Sequence, residues 1–385
     1  MIASPYSYAY GPALVPAPDE PGAGMWRWRR LLPLDGSDVY PLPVGGTPLV
    51  APPRLRAALG LPGLVLKDET RGPTGSNKDR ATALCCADAV RRGAPAIVCA
   101  SSGNLAVSLA AGAAAVGLPA YCFVSARTVS PAKVELMRAY GATVVRVAGA
   151  YEDAYRLSEA VCVRLGWYNR NTGSNPLAVQ AKKTVAFEVW EQLGRRLPDV
   201  AYLPVGDGTT LAAFVVGCEE LVRCGVADRL PRVIGVQAEG AAPLARAFAA
   251  GRLDWTPVES TTFADGIGVG DPFFGRPALE AVRRTDGEFV VVSDDAIREA
   301  IALLARAAGL LVEPAGAAAL AGAAAHQGRR AGEERLLVLV TGTGLKDQRW
   351  LPREQGAVLD VPPDLDTFLT ALSERPGGQA ASAPA

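Results

Sequence analysis

The chain has 385 residues, 49% of them hydrophobic, and its 39 basic and 39 acidic side chains leave a formal net charge of zero. This length excludes one small domain and allows two ordinary ones. A neutral chain without a long basic run is poorly suited to bind nucleic acid or an anionic membrane surface, so the composition favours a small-molecule partner.

The cysteine and histidine contents exclude several kinds of site. The seven cysteines show neither zinc spacing nor a disulfide framework, which predicts small core residues in a reducing compartment. His326 is the only histidine, and its context predicts a surface position. A histidine metal cluster is therefore excluded, and no metal site is predicted.

The two ends of the chain have compositions that do not favour a folded core. Residues 1–24 lack the basic segment and apolar core of a secretory signal, so we expect a loose arm and a cytoplasmic protein. The alanine-rich stretches around Ala110 and Ala317 are interrupted by glycine and are too short to span a bilayer. Residues 364–385 are expected to form a tail that is disordered at its end, from 375 onward.

In chain order, the first predicted strand is 64–69, and an irregular turn then leads into a helix from about Asn77 to Gly93 that Ser76 can cap. Short β-branched runs then alternate with helical stretches. Further strands are predicted at 97–99, 120–124, 143–147, 200–204, 233–237 and 336–340, with helices at 105–116, 132–140, 152–165, 177–193 and 211–222. This alternation predicts an α/β fold with parallel sheets that helices cover on both faces.

Lys78 is predicted to lie in the first turn of the first of these helices. The positive end of the helix dipole disfavours an ammonium group there and lowers its affinity for the proton. An amine in this position suits Schiff-base chemistry. The alternative is a solvated surface lysine, because lysines are seldom buried.

Loops that contain glycine follow several predicted strands, where open α/β sheets place their ligands. The loop 101–104 has the sequence Ser-Ser-Gly-Asn before a helix and could bind a carboxylate, with a simple helix cap as the alternative. The loop 206–210, Gly-Asp-Gly-Thr-Thr, could hold a phosphate, although it has neither a Walker lysine nor a GxGxxG spacing. The loop that begins at Thr341 could bring a hydroxyl to a ring nitrogen. Together with Lys78, these loops fit pyridoxal phosphate better than a nucleotide.

These segments resemble the pyridoxal-phosphate enzymes of the tryptophan synthase β type (fold type II), and within them the threonine synthases most closely. The resemblance covers roughly residues 25–347. It also includes the segments 45–49 (Gly-Gly-Thr-Pro-Leu), 67–69 (Lys-Asp-Glu), 175–176 (Asn-Pro) and 313–315 (Glu-Pro-Ala).

The family resemblance implies two three-layer α/β domains around mostly parallel sheets, with the cofactor in the cleft between them. We place the larger domain at 25–84 and 167–363 and the smaller, mobile domain at 85–166. The resemblance leaves a homodimer open.

The resemblance also implies roles for individual residues. Lys78 would be the catalytic residue and would form the Schiff base with pyridoxal 5'-phosphate, while Asn104 would contact the phenolic oxygen of the cofactor and Thr341 its ring nitrogen. The phosphate would be held by Gly206, Asp207, Gly208, Thr209 and Thr210. The residues implied for substrate binding are Ser101, Ser102, Gly103 and Lys183.

The implied activity is a lyase reaction, in which phosphate is eliminated from O-phosphohomoserine and water is added to give threonine. The chain departs from the threonine synthase pattern at Asn77, Leu105 and Ala178, where Phe, Thr and Arg are usual. Loss of the arginine removes a bidentate partner for a substrate phosphate, and Lys182 and Lys183 could compensate for it.

Other functions stay open on these residues. The main alternative is β/γ-elimination or β-replacement on another amino acid, including threonine or serine dehydration. A protein that binds the cofactor without turnover is a further alternative. A nicotinamide-binding or sugar-nucleotide-binding Rossmann protein would also fit the alternation, but the GxGxxG fingerprint is missing.

Overall fold

The computed structural model describes residues 10–126, 130–326, 328, 334–352 and 356–373. The chain forms two compact units, Met1–Leu351 and Pro352–Ala385. Among the described residues of the second unit, the only regular element is a helix at Leu365–Ser373.

The strands of the first unit are β1 (Leu49–Val50), β2 (Leu64–Asp68), β3 (Ile97–Ala100), β4 (Ala120–Ser125), β5 (Thr143–Val147), β6 (Tyr168–Asn169), β7 (Val200–Pro204), β8 (Arg232–Ala238), β9 (Glu288–Val292) and β10 (Leu336–Val340). The described strands form a six-stranded sheet in the order β1-β2-β10-β7-β8-β9 and a four-stranded sheet in the order β5-β4-β3-β6. All pairs are parallel except β1 with β2.

The helices of this unit are α1 (Pro53–Leu59), α2 (Lys78–Arg91), α3 (Asn104–Val116), α4 (Pro131–Ala139), α5 (Tyr151–Leu165), α6 (Leu177–Lys182), α7 (Thr184–Gln192), α8 (Thr209–Arg223), α9 (Pro243–Ala249), α10 (Gly275–Arg284), α11 (Asp294–Leu303) and α12 (Pro314–Ala325). Short 3-10 turns precede and follow several of them. Among the described residues, no helix combines the length and the apolar character that crossing a membrane requires.

The centre of the larger sheet brings three loops to one edge. The strands β2, β7 and β10 are buried along their whole length, as expected for central parallel strands with helices on both faces. Because β10 pairs in parallel with both β2 and β7, the carboxyl ends of the three strands lie side by side. The segments that begin after Asp68, Pro204 and Val340 therefore start at the same edge of the sheet, where α/β proteins bind ligands.

The alanine-rich helix α12 is a core helix that packs on the larger sheet. A Cβ atom on Gly322 would lie 2.4 Å from Cγ2 of Val236 in β8, so the helix and the strand approach too closely for any other residue. The stretch around Ala110, in α3, belongs to the hydrophobic core on the smaller sheet. Small side chains in these helices thus serve close packing.

Most predicted elements are confirmed to within a few residues. The predicted helix 177–193 differs, because it is divided at Lys183 into α6 and α7. The hydroxyl of Thr184 donates to the carbonyl of Ala181 at 2.6 Å and accepts from Arg80, and such side-chain bonds to the preceding turn bend helices. The cysteines are confirmed as buried free thiols.

The prediction of a surface position for His326 is wrong. The side chain is 4% exposed, its Nδ1 lies 2.9 Å from the hydroxyl of Tyr202, and its Nε2 lies 3.1 Å from Glu288. Sequence context suggested a helix end, which is correct, but the strand β7 supplies the tyrosine that covers the ring.

The predicted N-terminal arm is described only in part. Residues 1–9 and the predicted disorder at 375–385 lie outside the described residues. Val15 is buried against Trp28 and Phe187, and Arg195 donates to the carbonyl of Pro16 at 2.6 Å, so this part of the arm is anchored.

The two predicted domain boundaries fall in or beside regular elements. Helix α2 crosses the boundary predicted at 84/85, and strand β6 begins just after the boundary predicted at 166/167.

Candidate active site

Lys78 is the first residue of α2, and the loop before it is tied to the loop after β10. The N–H of Asn77 donates to the carbonyl of Thr341 at 2.9 Å, and the N–H of Thr343 donates to the carbonyl of Gly75 at 2.9 Å. Gly75 has φ +67°, and a Cβ there would lie 2.5 Å from Cγ2 of Thr343. The contact of these two loops requires glycine at this position. It fixes where Lys78 begins the helix.

A buried network of charged side chains also fixes the start of α2. The guanidinium of Arg80 contacts the carboxylate of Glu69 at 2.6 and 2.7 Å and that of Glu188 at 2.6 and 2.8 Å. The ammonium of Lys67 donates to Glu188 at 2.7 Å. Burial raises the pKa of Glu188, but Arg80 and Lys67 outweigh it and hold the pKa at about 2. Two cations and two carboxylates thus connect α2 with the end of β2 and with α7.

The environment of Lys78 lowers the pKa of its amine. Burial is the main cause, and the charges of Arg170 and Lys346 lower it further, while Glu313 and Asp207 act in the opposite direction. The direction agrees with the prediction from the helix dipole, but desolvation is the dominant reason. An amine that loses its proton more easily is better suited to act as a nucleophile or a base.

Asn104, the first residue of α3, binds a carboxylate that the sequence interpretation did not assign to the site. Its Nδ2 lies 2.7 and 2.6 Å from the two carboxylate oxygens of Glu313, which precedes α12. This contact fixes the amide, because the reverse orientation would place Oδ1 against the carboxylate. The buried Oδ1 has no hydrogen-bond partner within the described residues. Oδ1 of Asn104 is therefore available to accept a hydrogen bond from a bound ligand.

Ser101, Ser102 and Gly103 are half-buried at the start of α3, beside Asn104. The hydroxyl of Ser101 accepts from the N–H of Gly103 at 3.1 Å, but no side chain of this loop caps α3, so the simple helix cap named as the alternative is not formed. The predicted role of these three residues toward a substrate carboxylate stays a prediction.

The loop 206–210 leads from β7 into α8 and is shaped by its glycines. Gly208 has φ +92°, and a Cβ there would lie 2.7 Å from the carbonyl oxygen of Phe274. At Gly206, a Cβ would lie 2.8 Å from Cα of Ile267. Only glycine allows the backbone this close to both neighbouring segments.

The polar groups of this loop divide into two sets. The hydroxyl of Thr209 donates to Asp207 at 2.5 Å, and that of Thr210 accepts from Nδ2 of Asn77 at 3.3 Å. In contrast, no group in the described ranges accepts from the backbone N–H groups of 207–210. Free amides at the start of a long helix form an anion-binding site.

Thr341 is the first residue after β10 and is buried, 6% exposed. Its carbonyl accepts from Asn77, so its backbone is fixed to the loop that precedes Lys78. Its hydroxyl forms no hydrogen bond within the part of the chain that the structure describes. The predicted contact with a ring nitrogen thus has an available hydroxyl.

The structure does not bring Lys183 to this group of residues. Its ammonium is buried against Glu220 of α8 at 2.8 Å and also contacts Tyr10. The neighbouring Lys182 instead interacts electrostatically with Lys78 and Asp207. Because α6 ends between them, the two adjacent lysines face different surroundings.

Pyridoxal 5'-phosphate would find a matching group for each of its polar parts. The free amides at the start of α8 suit its phosphate, and Oδ1 of Asn104 suits a protonated phenolic oxygen. The cations around Lys78 are Arg170, Lys182 and Lys346, and the acidic groups are Glu313 and Asp207. Cations exceed carboxylates in a chain with no net charge, which favours an anionic ligand. The residues present fit this cofactor.

Sequence reasoning missed two residues of this group. Glu313 stood only as part of a matching segment, and its contact with Asn104 joins residues 209 positions apart. Arg170 is fully buried and lies 3.5 Å from the carbonyl of Lys78 through Nη2. No local signal marks either residue. Their contacts form only in the folded chain, where the end of β6 and the start of α12 lie near the start of α2.

The chain is similar to known proteins in sequence and in fold. The pyridoxal-phosphate dependent enzyme family matches residues 40–342. The threonine synthase of Methanocaldococcus jannaschii is 34% identical over 355 residues, which cover 91% of this chain and 87% of that protein. The threonine synthase of Mycobacterium leprae is 35% identical over 341 residues, which cover 88% of this chain and 92% of that protein.

A solved structure shows the same fold. The processed form of threonine deaminase isoform 2 from Solanum lycopersicum has a TM-score of 0.68 at 22% identity, and the match covers 82% of this chain and 87% of that chain. This likeness, together with the parallel sheets, confirms the predicted α/β fold class.

Proposed function

The chain belongs to the pyridoxal-phosphate dependent enzyme family, and on this premise we propose that it is a threonine synthase-like lyase that converts O-phosphohomoserine to threonine and phosphate. Its cofactor is pyridoxal 5'-phosphate, as the resemblance predicted. The observation that carries the proposal is Lys78, whose amine lies at the start of α2 with a lowered pKa, among groups that suit an anionic cofactor.

In this proposal each residue has one task toward the cofactor. When bound, pyridoxal 5'-phosphate supplies a conjugated ring that withdraws electrons from the α-carbon of an amino acid. Nζ of Lys78 would hold its aldehyde carbon covalently, and it would be released as a free amine when the amino group of a substrate takes its place. The amides of 207–210 and the hydroxyl of Thr210 would hold the phosphate, with Gly206 and Gly208 allowing the close approach, while the hydroxyl of Thr209 donates to Asp207. Asn104, fixed by Glu313, orients the ring through the phenolic oxygen.

Toward the substrate, the main tasks are proton transfer and orientation. Lys78 is the base whose Nζ removes the α-proton and later returns a proton to the carbon skeleton. Its lowered pKa increases the fraction of neutral amine at physiological pH. Ser101, Ser102 and Gly103 bind the α-carboxylate at the start of α3, where the helix dipole favours an anion.

Thr341→Ala is expected to lower kcat about three- to tenfold while the fold is kept, because one neutral hydrogen bond to the ring nitrogen would be lost. Steady-state kinetics with circular dichroism provide the measurement. Thr285→Ala is the matched control, since within the described residues this buried hydroxyl donates only to backbone carbonyls at the end of α10. Equal rates for the Thr341 variant and the wild-type enzyme would count against its placement at the ring nitrogen.

The substrate is tested by incubating the purified protein with O-phosphohomoserine, with threonine and with serine. Threonine and inorganic phosphate formed in equal amounts are expected from the first. Release of 2-oxobutanoate from threonine, or of pyruvate from serine, would instead show a dehydratase. Turnover of none of the three would contradict the proposed substrate and favour elimination or replacement on another amino acid.

One observation favours this second candidate. The position at which the resemblance expects an arginine is Ala178, and it is fully buried. A substrate phosphate therefore lacks the bidentate partner that the family pattern provides. The solved structure described above is a deaminase, which is consistent with an amino-acid substrate in either case.

The remaining parts of the proposal concern the context of the enzyme. We place its action in the cytoplasm and assign the closing motion over the substrate to the smaller domain, 85–166. A homodimer stays a prediction. Sedimentation of the holoenzyme would determine the oligomeric state.

A further inference from the structure

Lys182 is a buried lysine that has no ion-pair partner among the described residues. It ends α6 and is 4% exposed, and within the described residues it has neither a carboxylate partner nor a hydrogen bond. The next residue, Lys183, is equally buried but is paired with Glu220 at 2.8 Å. Burying an unpaired charge is unfavourable, so such groups concentrate at sites that bind a ligand.

The surroundings of Lys182 are cationic. Burial, followed by the charges of Lys78 and Arg170, holds the pKa of Lys182 well below its usual value, and Asp207 opposes this only in part. Arg170 is itself fully enclosed and has no carboxylate partner among the described residues. Its Nη1 donates to the hydroxyl of Thr172 at 3.0 Å, while its buried Nε has no partner in the same ranges.

The position of Lys182 on its helix allows it to take the place of the arginine that the resemblance expects at 178. Ala178 and Lys182 are four residues apart in α6, and residues at this spacing lie on the same helix face, one turn apart. The arginine that the resemblance expects at 178 is missing. Lys182 places its amino group one turn further along the same face, and α6 packs against both α2, which begins at Lys78, and α8.

We propose that Lys182 is a ligand for a phosphate monoester beside Lys78, and that the enclosed Arg170 adds positive potential behind it. Lys182 has accessible surface and Arg170 has none, so only the lysine can contact the ligand directly. The phosphate monoester could be part of the cofactor or of the substrate. The substrate assignment rests on the proposed function, whereas the cofactor assignment needs only the family membership.

The test is Lys182→Met in the full-length holoenzyme, because methionine keeps most of the side-chain volume and removes the charge. Binding of inorganic phosphate to the holoenzyme is measured by calorimetry, and the dissociation constant of the cofactor is measured from its absorbance on dilution. We expect one of the two affinities to fall about tenfold or more, as loss of a charge-assisted hydrogen bond gives. If inorganic phosphate binds more weakly and the dissociation constant of the cofactor is unchanged, Lys182 contacts the phosphate of the substrate. If the dissociation constant of the cofactor rises, Lys182 contacts the phosphate of the cofactor.

Two further readouts separate a ligand from a structural residue. If the ligand is the substrate-side phosphate, its binding should take up protons in the wild-type protein, because the pKa of Lys182 is lowered before binding. This uptake is seen as a dependence of the calorimetric heat on buffer ionisation, and the variant should lose it. The urea midpoint of the variant should not fall, because Lys182 forms no ion pair or hydrogen bond with the described residues that the substitution would break. Arg92→Met, the same charge change at the exposed side chain that follows α2, should leave both affinities unchanged.

The proposal fails if both affinities stay within about twofold of the wild-type values, or if the urea midpoint falls while both affinities are kept. It also fails if the wild-type holoenzyme binds no phosphate and the cofactor constant is unchanged in the variant. Turnover is not part of the test. A protein that does not convert O-phosphohomoserine, but whose phosphate affinity depends on Lys182, would refute the proposed reaction and retain this site.

Discussion

Lys78→Ala is expected to abolish turnover, with a loss of at least about 10³-fold, and to remove the absorption band of the lysine-bound cofactor near the violet edge. Both effects follow from one atom. Nζ of Lys78 is proposed as the covalent ligand of the cofactor and as the base at the substrate α-carbon. Because its side chain is half-buried at the start of α2 and forms no ion pair with the described residues, the fold should be kept. Absorbance, circular dichroism and steady-state rates provide the measurements.

The conservative variant Lys78→Arg separates charge from covalent chemistry. Arginine keeps the positive charge but is always protonated and cannot replace the amine. It should therefore be as inactive as the alanine variant. Retention of both turnover and the absorption band in either variant would remove Lys78 from the mechanism.

Arg80→Met is expected to lower the free energy of unfolding by about 3–5 kcal/mol, because it leaves the carboxylates of Glu69 and Glu188 buried with one guanidinium fewer. The side chain is 1% exposed, so water cannot replace the lost contacts. Urea unfolding followed by circular dichroism measures the change. The same variant should weaken activity, since the network fixes the helix on which Lys78 lies.

Arg92→Met is the control for this variant as well. Its side chain is 69% exposed and, from the position that follows α2, pairs with Asp88 one turn earlier, so its removal should cost at most about 1 kcal/mol. Equal unfolding free energies for the Arg80 and Arg92 variants would show that the buried network does not stabilise the start of α2.

Much of the fold could be predicted because the central strands are continuous apolar runs. The strand 336–340, Leu-Leu-Val-Leu-Val, is fully buried in the structure, and its bounds are those predicted. Strand β6 was missed because it has two residues, which is too short for any periodicity. The division of 177–193 was missed because it depends on contacts of Thr184 with a residue of α2.

The candidate site divides in the same way. Lys78 and the loop 206–210 could be predicted because their chemistry is local: each lies at the start of a helix that follows a buried strand. The sequence could not show which of Lys182 and Lys183 faces the candidate site. Both residues are lysines, and only the position of Glu220 on α8 shows that Lys183 is the one with an acidic partner. Glu313 likewise depends on two helix starts meeting at Asn104.

The central claim is that one particular lysine holds the cofactor, and it is tested most directly by borohydride reduction of the holoenzyme followed by peptide mapping with mass spectrometry. The chain offers other lysines as alternatives, namely Lys67, Lys133, Lys182, Lys183 and Lys346. We predict a pyridoxyl group on the peptide that contains Lys78 and on no other. A pyridoxyl group on a different lysine, or none in cofactor-loaded protein, would contradict the account.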